Sequence, residues 1–384
     1  MRKVYLDHSA TTPVEPQVVD VMIPYLKDKF GNASSIHSFG REAKVALEDA
    51  REAIARFINA EAREIYFTSG GTESNNMAIK GAAWLLRDKG NHIISSKAEH
   101  HAVLYTCDYL KKQGFDVTYL KPDKYGMIQP EAVADAITDK TILVSIMHAN
   151  NEVGTINPVA EIGRITRGRG LLFHTDAVQS FGKLDIDIAE IPVDMLSFSG
   201  HKIYGPKGIG GLFIRKGVRL EKLLHGGAHE QNRRAGTENM PGIAGLAKAV
   251  EISAERKERD YQFVKHLRDS LFEKLQQEIP KIYLNGHPEE RLYNNLNLSF
   301  EGVEGESLLL SLDLKGIAAS SGSACTSGAV DPSHVLTSMN VRPELAQSSI
   351  RFTLGRNNTM EDIDYVVEIL PQIVARLRAM SPLA

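Results

Sequence analysis

Short apolar runs alternate with longer stretches of helical periodicity from about residue 40 to residue 250. The runs at 64–68, 92–96, 171–175 and 195–198 have the length of buried strands, and each leads into a polar or glycine-rich turn. Strands that alternate with helices in this way predict an α/β fold with a mainly parallel sheet that is covered on both faces.

The last third of the chain has a different pattern. It predicts three elements, which are a highly charged helix from 255 to about 279, a strand over 295–300 and a closing amphipathic helix from 360 to about 380. At 384 residues the chain exceeds what one hydrophobic core usually supports. We therefore expect a large domain over 15–255 and a smaller α+β domain formed by 1–14 and 256–384.

Composition narrows the class of protein. A net charge of −3 argues against direct binding of nucleic acid. The two cysteines, Cys107 and Cys325, lie far apart and give no disulfide framework, which suits a reducing cytosol. Residues 1–7 lack the apolar stretch of a signal peptide, and no run approaches the roughly 20 apolar residues of a membrane span. We therefore expect a cytoplasmic protein without a membrane segment.

Two further motif classes are excluded by spacing. The glycine-rich segment 205–211 does not have the Gly-x-Gly-x-x-Gly spacing, and a strand pattern follows it, so a dinucleotide site is not expected there. The histidines have no metal-ligand spacing such as His-Glu-x-x-His.

Lys202 is the strongest candidate for chemistry. It follows the apolar run at 195–198 within Ser-Gly-His-Lys, and the glycine-rich segment 205–211 comes soon after it. A lysine at the buried end of a strand is poorly placed for a solvated charge and well placed to form a Schiff base with an aldehyde cofactor. A surface lysine in a loop is the alternative for such a motif in isolation.

Asp176 follows the strand predicted at 171–175, and Gln179 lies three residues further on. Pyridoxal phosphate acts as an electron sink when a carboxylate keeps its ring nitrogen protonated, and Asp176 is suitably placed for that task. Gln179 could hydrogen-bond the phenolic oxygen of the ring. A helix N-cap is an equally good interpretation of Asp176 taken alone.

The turn over 69–76 follows another predicted strand and precedes an apolar helical pattern. Gly70 and Gly71 permit close approach of the backbone to a ligand, and Thr72 adds a hydroxyl group. Such a turn at a helix N-terminus can bind a phosphate. An ordinary capped helix is the alternative.

A histidine pair follows the strand predicted at 92–96. The imidazole of His100 could stack on a cofactor ring and transfer protons. A capped or solvated loop histidine is the commoner case, and we assign that role to His101.

The four segments described above each follow a predicted strand. Open α/β sheets bind their ligands at the edge where the parallel strands end, so these segments are expected to meet there. Three segments extend the match to nearly the whole chain: Leu-Asp-His-Ser-Ala-Thr-Thr-Pro at 6–13, His-Ala-Asn-Asn-Glu-Val-Gly at 148–154 and Ser-Ser-Ile-Arg-Phe at 348–352. The sequence resembles the cysteine desulfurases, in the class V branch of the fold-type I pyridoxal-phosphate enzymes. The resemblance implies a large domain with a mainly parallel seven-stranded sheet.

The resemblance also implies a role for each matching residue. Lys202 would form the Schiff base, and Asp176, Gln179 and His100 would contact the cofactor ring. The phosphate contacts would be Gly71, Thr72, Ser199 and His201, with Thr237 from the other subunit of a homodimer. Asn151 is also expected to bind the cofactor. The substrate carboxylate would bind Asn151 and Arg351, since a guanidinium matches a carboxylate bidentately. The chain departs from the family pattern at Ala33 and Ala235, and the second departure weakens the assignment of Thr237.

Cys325 lies in the small, polar and glycine-rich segment 320–328. These flanks predict a mobile exposed loop, whereas a cysteine with only a structural role is usually buried. In the family the cysteine of this loop is catalytic and can ligate a cluster on a scaffold partner. A tolerated surface thiol is the alternative for Cys325, and Cys107 is expected to pack in the core on a helix.

The resemblance thus implies conversion of L-cysteine to L-alanine, with a persulfide on Cys325. The sulfur would pass to an iron–sulfur scaffold, with a transient [2Fe-2S] cluster shared with that partner, or serve tRNA thiolation. A selenocysteine lyase or another class V transaminase is a second hypothesis. A catalytically silent binding protein is a third, and the presence of Lys202, Asp176 and Cys325 together argues against it.

Overall fold

The computed structural model describes residues 2–321 and 332–380. The described helices are α1 (Pro16–Lys27), α2 (Ser38–Phe57), α3 (Gly71–Leu85), α4 (His101–Lys112), α5 (Pro130–Ala136), α6 (Val159–Gly168), α7 (Met240–Glu278), α8 (Gly305–Asp313), α9 (His334–Ser338), α10 (Pro343–Gln347) and α11 (Met360–Met380). The described strands are β1 (Val4–Tyr5), β2 (Ile65–Thr68), β3 (His92–Ser96), β4 (Asp116–Leu120), β5 (Thr141–Ser145), β6 (Leu172–Asp176), β7 (Met195–Ser199), β8 (Gly210–Ile214), β9 (Ile282–Asn285), β10 (Asn295–Phe300), β11 (Ile317–Ala318) and β12 (Ser349–Thr353).

Seven strands form the central sheet, in the order β2-β8-β7-β6-β5-β3-β4. The pairs β3/β4, β3/β5, β5/β6 and β6/β7 are parallel, and β8 is antiparallel to both of its neighbours. Every residue of β3, β5, β7 and β8 is buried, as expected when helices cover both faces of a sheet. The predicted α/β class and the mainly parallel seven-stranded sheet are confirmed, and the predicted strands differ from the observed ones by at most one residue at an end.

A second, smaller sheet has the order β12-β10-β9, and both of its strand pairs are antiparallel. Strand β10 and helix α11 match the predicted strand and closing helix. The N-terminal strand β1 pairs with β11 in parallel, which joins the start of the chain to its last third. No helix among the described residues is both long and apolar enough to cross a membrane.

Helix α7 connects the two sheets. The charged helix predicted from residue 255 in fact begins at Met240, because the apolar periodicity before 255 continues the same helix. The first half of α7 packs Leu246 into the core around the central sheet, and its second half packs Leu271 into the core around the small sheet. The predicted boundary at 255/256 therefore falls within one continuous helix, and the division into two domains stays a prediction.

Cys107 lies on α4 and is fully buried among apolar side chains. The expectation that it packs in the core is confirmed. Burial raises the pKa of the Cys107 thiol to about 12, so this group is un-ionised near neutral pH.

Substitution Leu246→Ala is expected to destabilise the protein by about 2–5 kcal/mol, because it leaves a cavity where α7 meets the central sheet. Leu310→Ala on α8 is the matched control, since Leu310 is 61% exposed and its loss should change stability by less than about 0.5 kcal/mol. Chemical denaturation followed by circular dichroism measures both. Equal unfolding midpoints for the two variants would contradict the role given to α7.

Candidate active site

The parallel strands place their carboxyl ends at one edge of the central sheet, where ligands of open α/β folds bind. A cavity of about 500 Å³ lies at this edge. The predicted site residues that line it are Gly71, Thr72, His100, Asn151, Asp176, Gln179, Ser199, His201, Lys202 and Arg351. Strand order thus brings together residues that are up to 280 positions apart in the sequence.

Lys202 ends a short 3₁₀ turn, Gly200–Lys202, that directly follows β7. Its ammonium group donates hydrogen bonds to the backbone carbonyls of Ser9 and Ala10, the latter at 2.7 Å. The N-terminal segment therefore packs against Lys202. A buried strand end and two carbonyl acceptors fix the direction of the Lys202 amine within the cavity.

Asp176 ends β6 and is 4% exposed. Its Oδ1 accepts a hydrogen bond from the Val178 amide at 2.9 Å, and its Oδ2 accepts one from Asn75 Nδ2 at 2.6 Å. Turns rather than an α-helix follow Asp176, so the helix N-cap interpretation is wrong, although the same local bond to the backbone is present. The carboxylate lines the cavity with its orientation fixed on two sides.

Gln179 is buried in the turn after Asp176. Its Nε2 donates to the Ser9 carbonyl at 2.9 Å, while its Oε1 has no hydrogen-bond partner among the described residues. A buried polar atom without a partner is costly, so a ligand that bonds to the Gln179 amide would be favoured at this point of the cavity.

The turn before α3 has the geometry of an anion site. Gly70 has φ +150°, which a side chain rarely adopts, and helix α3 begins at Gly71. A Cβ on Gly71 would lie 2.5 Å from Val178 Cγ2, so the close packing of this turn requires glycine. The 15-residue helix directs its partial positive charge toward the cavity, beside the hydroxyls of Thr72 and Ser199.

The two histidines of the cavity are neutral. Burial, helped by the charge of Lys202, lowers the pKa of His201 to about 4. Burial also lowers the pKa of His100. His100 is the N-cap of α4, and its Nδ1 accepts a hydrogen bond from the Ala102 amide at 3.1 Å. The proton of neutral His100 is thereby placed on Nε2, so the residue has the capping role of the alternative interpretation and also lines the cavity.

Arg351 enters the cavity from β12 of the small sheet. Its guanidinium donates to Asp7 Oδ1 at 2.7 Å and to the Asn151 carbonyl at 2.9 Å, and its Nε has no partner among the described residues. Asn151 lines the same wall. The cavity therefore has a guanidinium from the small sheet facing an amine, a carboxylate and a helix N-terminus from the central sheet.

Two predicted residues stand apart from this group. Thr237 is exposed and does not line the cavity, so its contact with a cofactor in the other subunit stays a prediction. Cys325 lies outside the described residues. Within residues 2–321 and 332–380 no cluster of three or more His, Cys, Asp or Glu side chains could hold a metal ion, and this leaves the predicted cluster ligand Cys325 untested.

Sequence reasoning missed several residues of the cavity. Asn75 lies one helical turn after Gly71, and that spacing could have identified it as a neighbour of Gly71 on the same face of the helix. Asp7, Ser9 and Ala10 lie in the segment 6–13, which contributes to the family resemblance. No local sequence pattern indicates that these residues contact Lys202 or Arg351. Those contacts depend on long-range packing.

Comparisons with known proteins agree with this geometry. The family described as Aminotransferase class-V matches residues 4–366. A protein named cysteine desulfurase IscS from Methanosarcina thermophila is 56% identical over 382 residues, covering 100% of this chain and 94% of the relative.

Solved structures give the same result. A structure titled "NIFS-LIKE PROTEIN" has a TM-score of 0.92 at 38% identity, covering 98% of this chain and 100% of that one. A structure titled "SspA in complex with cysteine" has a TM-score of 0.82 at 39% identity, covering 93% of this chain and 100% of that one. With matches of this length and identity, the chain belongs to the class-V aminotransferase family and, within it, to the cysteine desulfurases.

Proposed function

We propose that this protein is a pyridoxal-phosphate-dependent cysteine desulfurase that converts L-cysteine to L-alanine and receives the sulfur as a persulfide on Cys325. One observation carries the proposal: Lys202, Asp176 and Arg351 line a single cavity in a chain of the cysteine desulfurase family. An amine, a carboxylate and a guanidinium in one cavity are the groups that amino-acid chemistry on this cofactor requires.

The cavity residues fit the cofactor group by group. Lys202 would bind the aldehyde of the cofactor, and Asp176 would keep the ring nitrogen protonated. Gln179 would form a hydrogen bond with the phenolic oxygen of the ring. His100 would stack on the ring. The N-terminus of α3 would bind the phosphate together with Gly71, Thr72, Ser199 and His201. When bound, the cofactor supplies an electron sink for the carbanion formed at the substrate Cα.

The substrate would be oriented by Arg351 and Asn151 through its carboxylate. The Lys202 amine lines the same cavity, so in its neutral form it would accept the Cα proton. The neutral imidazole of His100 has its Nδ1 occupied by the Ala102 amide, so its Nε2–H would donate a hydrogen bond to the substrate sulfur or to a Cys325 thiolate.

The position of Ser320 supports delivery of sulfur by Cys325. Ser320 lines the cavity and is the first residue of the glycine-rich segment 320–328 that contains Cys325 in the sequence. The Cys325 thiolate would attack the substrate sulfur and form the persulfide S–S bond while the bond between that sulfur and the substrate Cβ breaks. The electron pair of the broken bond would stay with the three-carbon fragment, which is protonated at Cβ and released as alanine. We propose that the persulfide is passed to an iron–sulfur scaffold protein, with a transient [2Fe-2S] cluster ligated in part by Cys325, and also serves tRNA thiolation in the cytoplasm.

The alternative activities are not favoured. The relative that is 56% identical is named a cysteine desulfurase, and the solved neighbour with a TM-score of 0.82 is described as a complex with cysteine. Neither name supports a selenocysteine lyase or a transaminase. The intact set of cavity residues likewise argues against a silent binding protein.

We further propose a homodimer. Large apolar side chains are exposed together on α1, α2 and the segment between them: Leu26, Phe30, Ile36, Phe39 and Val45. The rings of Phe30 and Phe39 stack at 5.4 Å, so part of this set is continuous. Monomeric proteins rarely expose a large apolar patch, and a second copy of this chain would cover it. The dimer would also bring Thr237 of one subunit to the cofactor of the other.

The first test is mass spectrometry after incubation of the protein with L-cysteine and pyridoxal phosphate. We expect one added sulfur on the Cys325 peptide, with alanine formed, and loss of both in Cys325→Ser. The Cys107 peptide is the internal control, because burial raises the pKa of its thiol to about 12 and it should stay unmodified. Bound cofactor without sulfur on Cys325 would overturn the persulfide mechanism and favour the lyase or transaminase.

The dimer is tested by Ile36→Asp, since Ile36 is 91% exposed in one chain. Loss of about 1.5–3 kcal/mol of apolar burial should raise the dimer dissociation constant roughly 10- to 100-fold. Analytical ultracentrifugation measures this constant. Leu314→Asp is the matched control, because Leu314 is 72% exposed on the small-sheet side. Equal dissociation constants for both variants would contradict the proposed interface.

A further inference from the structure

An acidic side chain lies within the turn proposed to bind the cofactor phosphate. Glu73 is in the first turn of α3, two residues after Gly71. Its Oε2 accepts a hydrogen bond from the Ser69 amide at 2.8 Å, which ties the start of the helix to the end of the preceding turn. A carboxylate at a helix N-terminus is stabilised by the helix dipole, but it also repels a second anion at the same place.

Arg234 neutralises this carboxylate. Its Nε donates to Glu73 Oε1 at 2.8 Å and its Nη2 donates to Oε2 at 3.2 Å, which is a bidentate pair. The side chains of Arg234 and Glu73 are 21% and 12% exposed. Although burial alone would raise the pKa of Glu73, hydrogen bonds from Arg234 and Ser69 hold that pKa below its ordinary value. Both partners are therefore charged near neutral pH, and the pair has no net charge.

The segment that carries Arg234 is itself fixed to the core. Glu230, Gln231 and Asn232 have φ values of 46°, 52° and 64°, a left-handed conformation that is unfavourable for side-chain-bearing residues. Glu230 is anchored by Arg51, whose two terminal nitrogens donate to its two carboxylate oxygens at 2.9 Å each.

The buried Arg51–Glu230 pair also contacts β2. The side chains of Arg51 and Glu230 are 1% and 3% exposed. Oε2 of Glu230 also accepts from the Phe67 amide at 2.7 Å, one residue before β2 ends. The strained segment is thus attached to the strand before the phosphate turn, and through Arg234 to the helix after it. A buried bidentate pair of this kind holds a backbone that local preferences would not maintain.

We propose that Arg234 is a positioning residue for the cofactor phosphate. It cancels the charge of Glu73 and holds that carboxylate on the Ser69 amide, so that the remaining amides of the turn are available to one anion. This inference rests on the proposed cofactor site. It gives the segment that carries Arg234 a function within its own subunit, in addition to the role proposed for Thr237 across the dimer.

The test compares two ligands of the apoprotein, pyridoxal phosphate and pyridoxal, which lacks the phosphate. Arg234→Gln leaves the Glu73 charge uncompensated, so we expect pyridoxal phosphate affinity to fall about tenfold, or about 1.4 kcal/mol, with pyridoxal affinity unchanged within about twofold. Adding Glu73→Gln removes the repelling charge and keeps an acceptor for Ser69, so the double variant should recover to within about threefold. Equilibrium dialysis measures all four variants of the cycle.

Lys265→Gln is the matched control, because Lys265 also pairs with a carboxylate, Asp269, and lies on α7 outside both the cavity and the proposed dimer interface. Its affinity for both ligands should equal that of the wild type. An equal loss of affinity for both ligands in Arg234→Gln, no loss for either, or no recovery in the double variant would overturn the inference. Wild-type protein that does not prefer pyridoxal phosphate over pyridoxal would instead overturn the proposed phosphate site.

Discussion

The rest of the structure depends on the parallel pairing of four neighbouring strands, in which β3 pairs with β5, β5 with β6 and β6 with β7. Because parallel strands share one direction, every turn that follows them emerges at the same edge of the sheet. Asp176 and Lys202 lie at the ends of adjacent strands, and His100 follows β3 at the same edge. The antiparallel strand β8 preserves this arrangement, since it pairs on both sides and leaves β2 running in the same direction as β7.

The N-terminal segment joins the two sheets at the cavity. Ser9 accepts hydrogen bonds from Lys202 and Gln179 through its carbonyl, and its amide donates to Thr353 Oγ1 of the small sheet at 2.8 Å. Asp7 accepts a hydrogen bond from Arg351, which lies with Thr353 on β12. The three-residue segment from Asp7 to Ser9 therefore contacts both the Lys202 amine and the Arg351 guanidinium. The relative position of these two groups depends on this segment.

Burial and hydrogen bonding together determine which side chains are charged in the cavity and in the turn beside it. His100 and His201 are neutral because burial lowers their pKa values, whereas the Glu73 carboxylate stays ionised through its bonds to Arg234 and Ser69. A neutral imidazole does not repel the partial positive charge of the helix N-terminus beside it. The cavity thus combines the Lys202 amine and the Arg351 guanidinium with the backbone amides at the start of α3, and its acidic lining residues are Asp7 and Asp176. Glu73, paired with Arg234, lies in the same first turn of α3.

The sequence by itself determined the elements and most of the cavity residues. Short runs of residues with strand length depend only on local burial, so β3 and β10 were predicted at their observed bounds. Strand-end polar residues such as Asp176 and Lys202 could be recognised because an α/β sheet collects them at one edge. Tertiary structure alone decided the contacts of Asp7 and Ser9 with Arg351 and Lys202, and the pairing of Arg234 with Glu73. Those contacts join residues more than 150 positions apart, and no local pattern of hydrophobicity or turn chemistry encodes which distant side chains will meet.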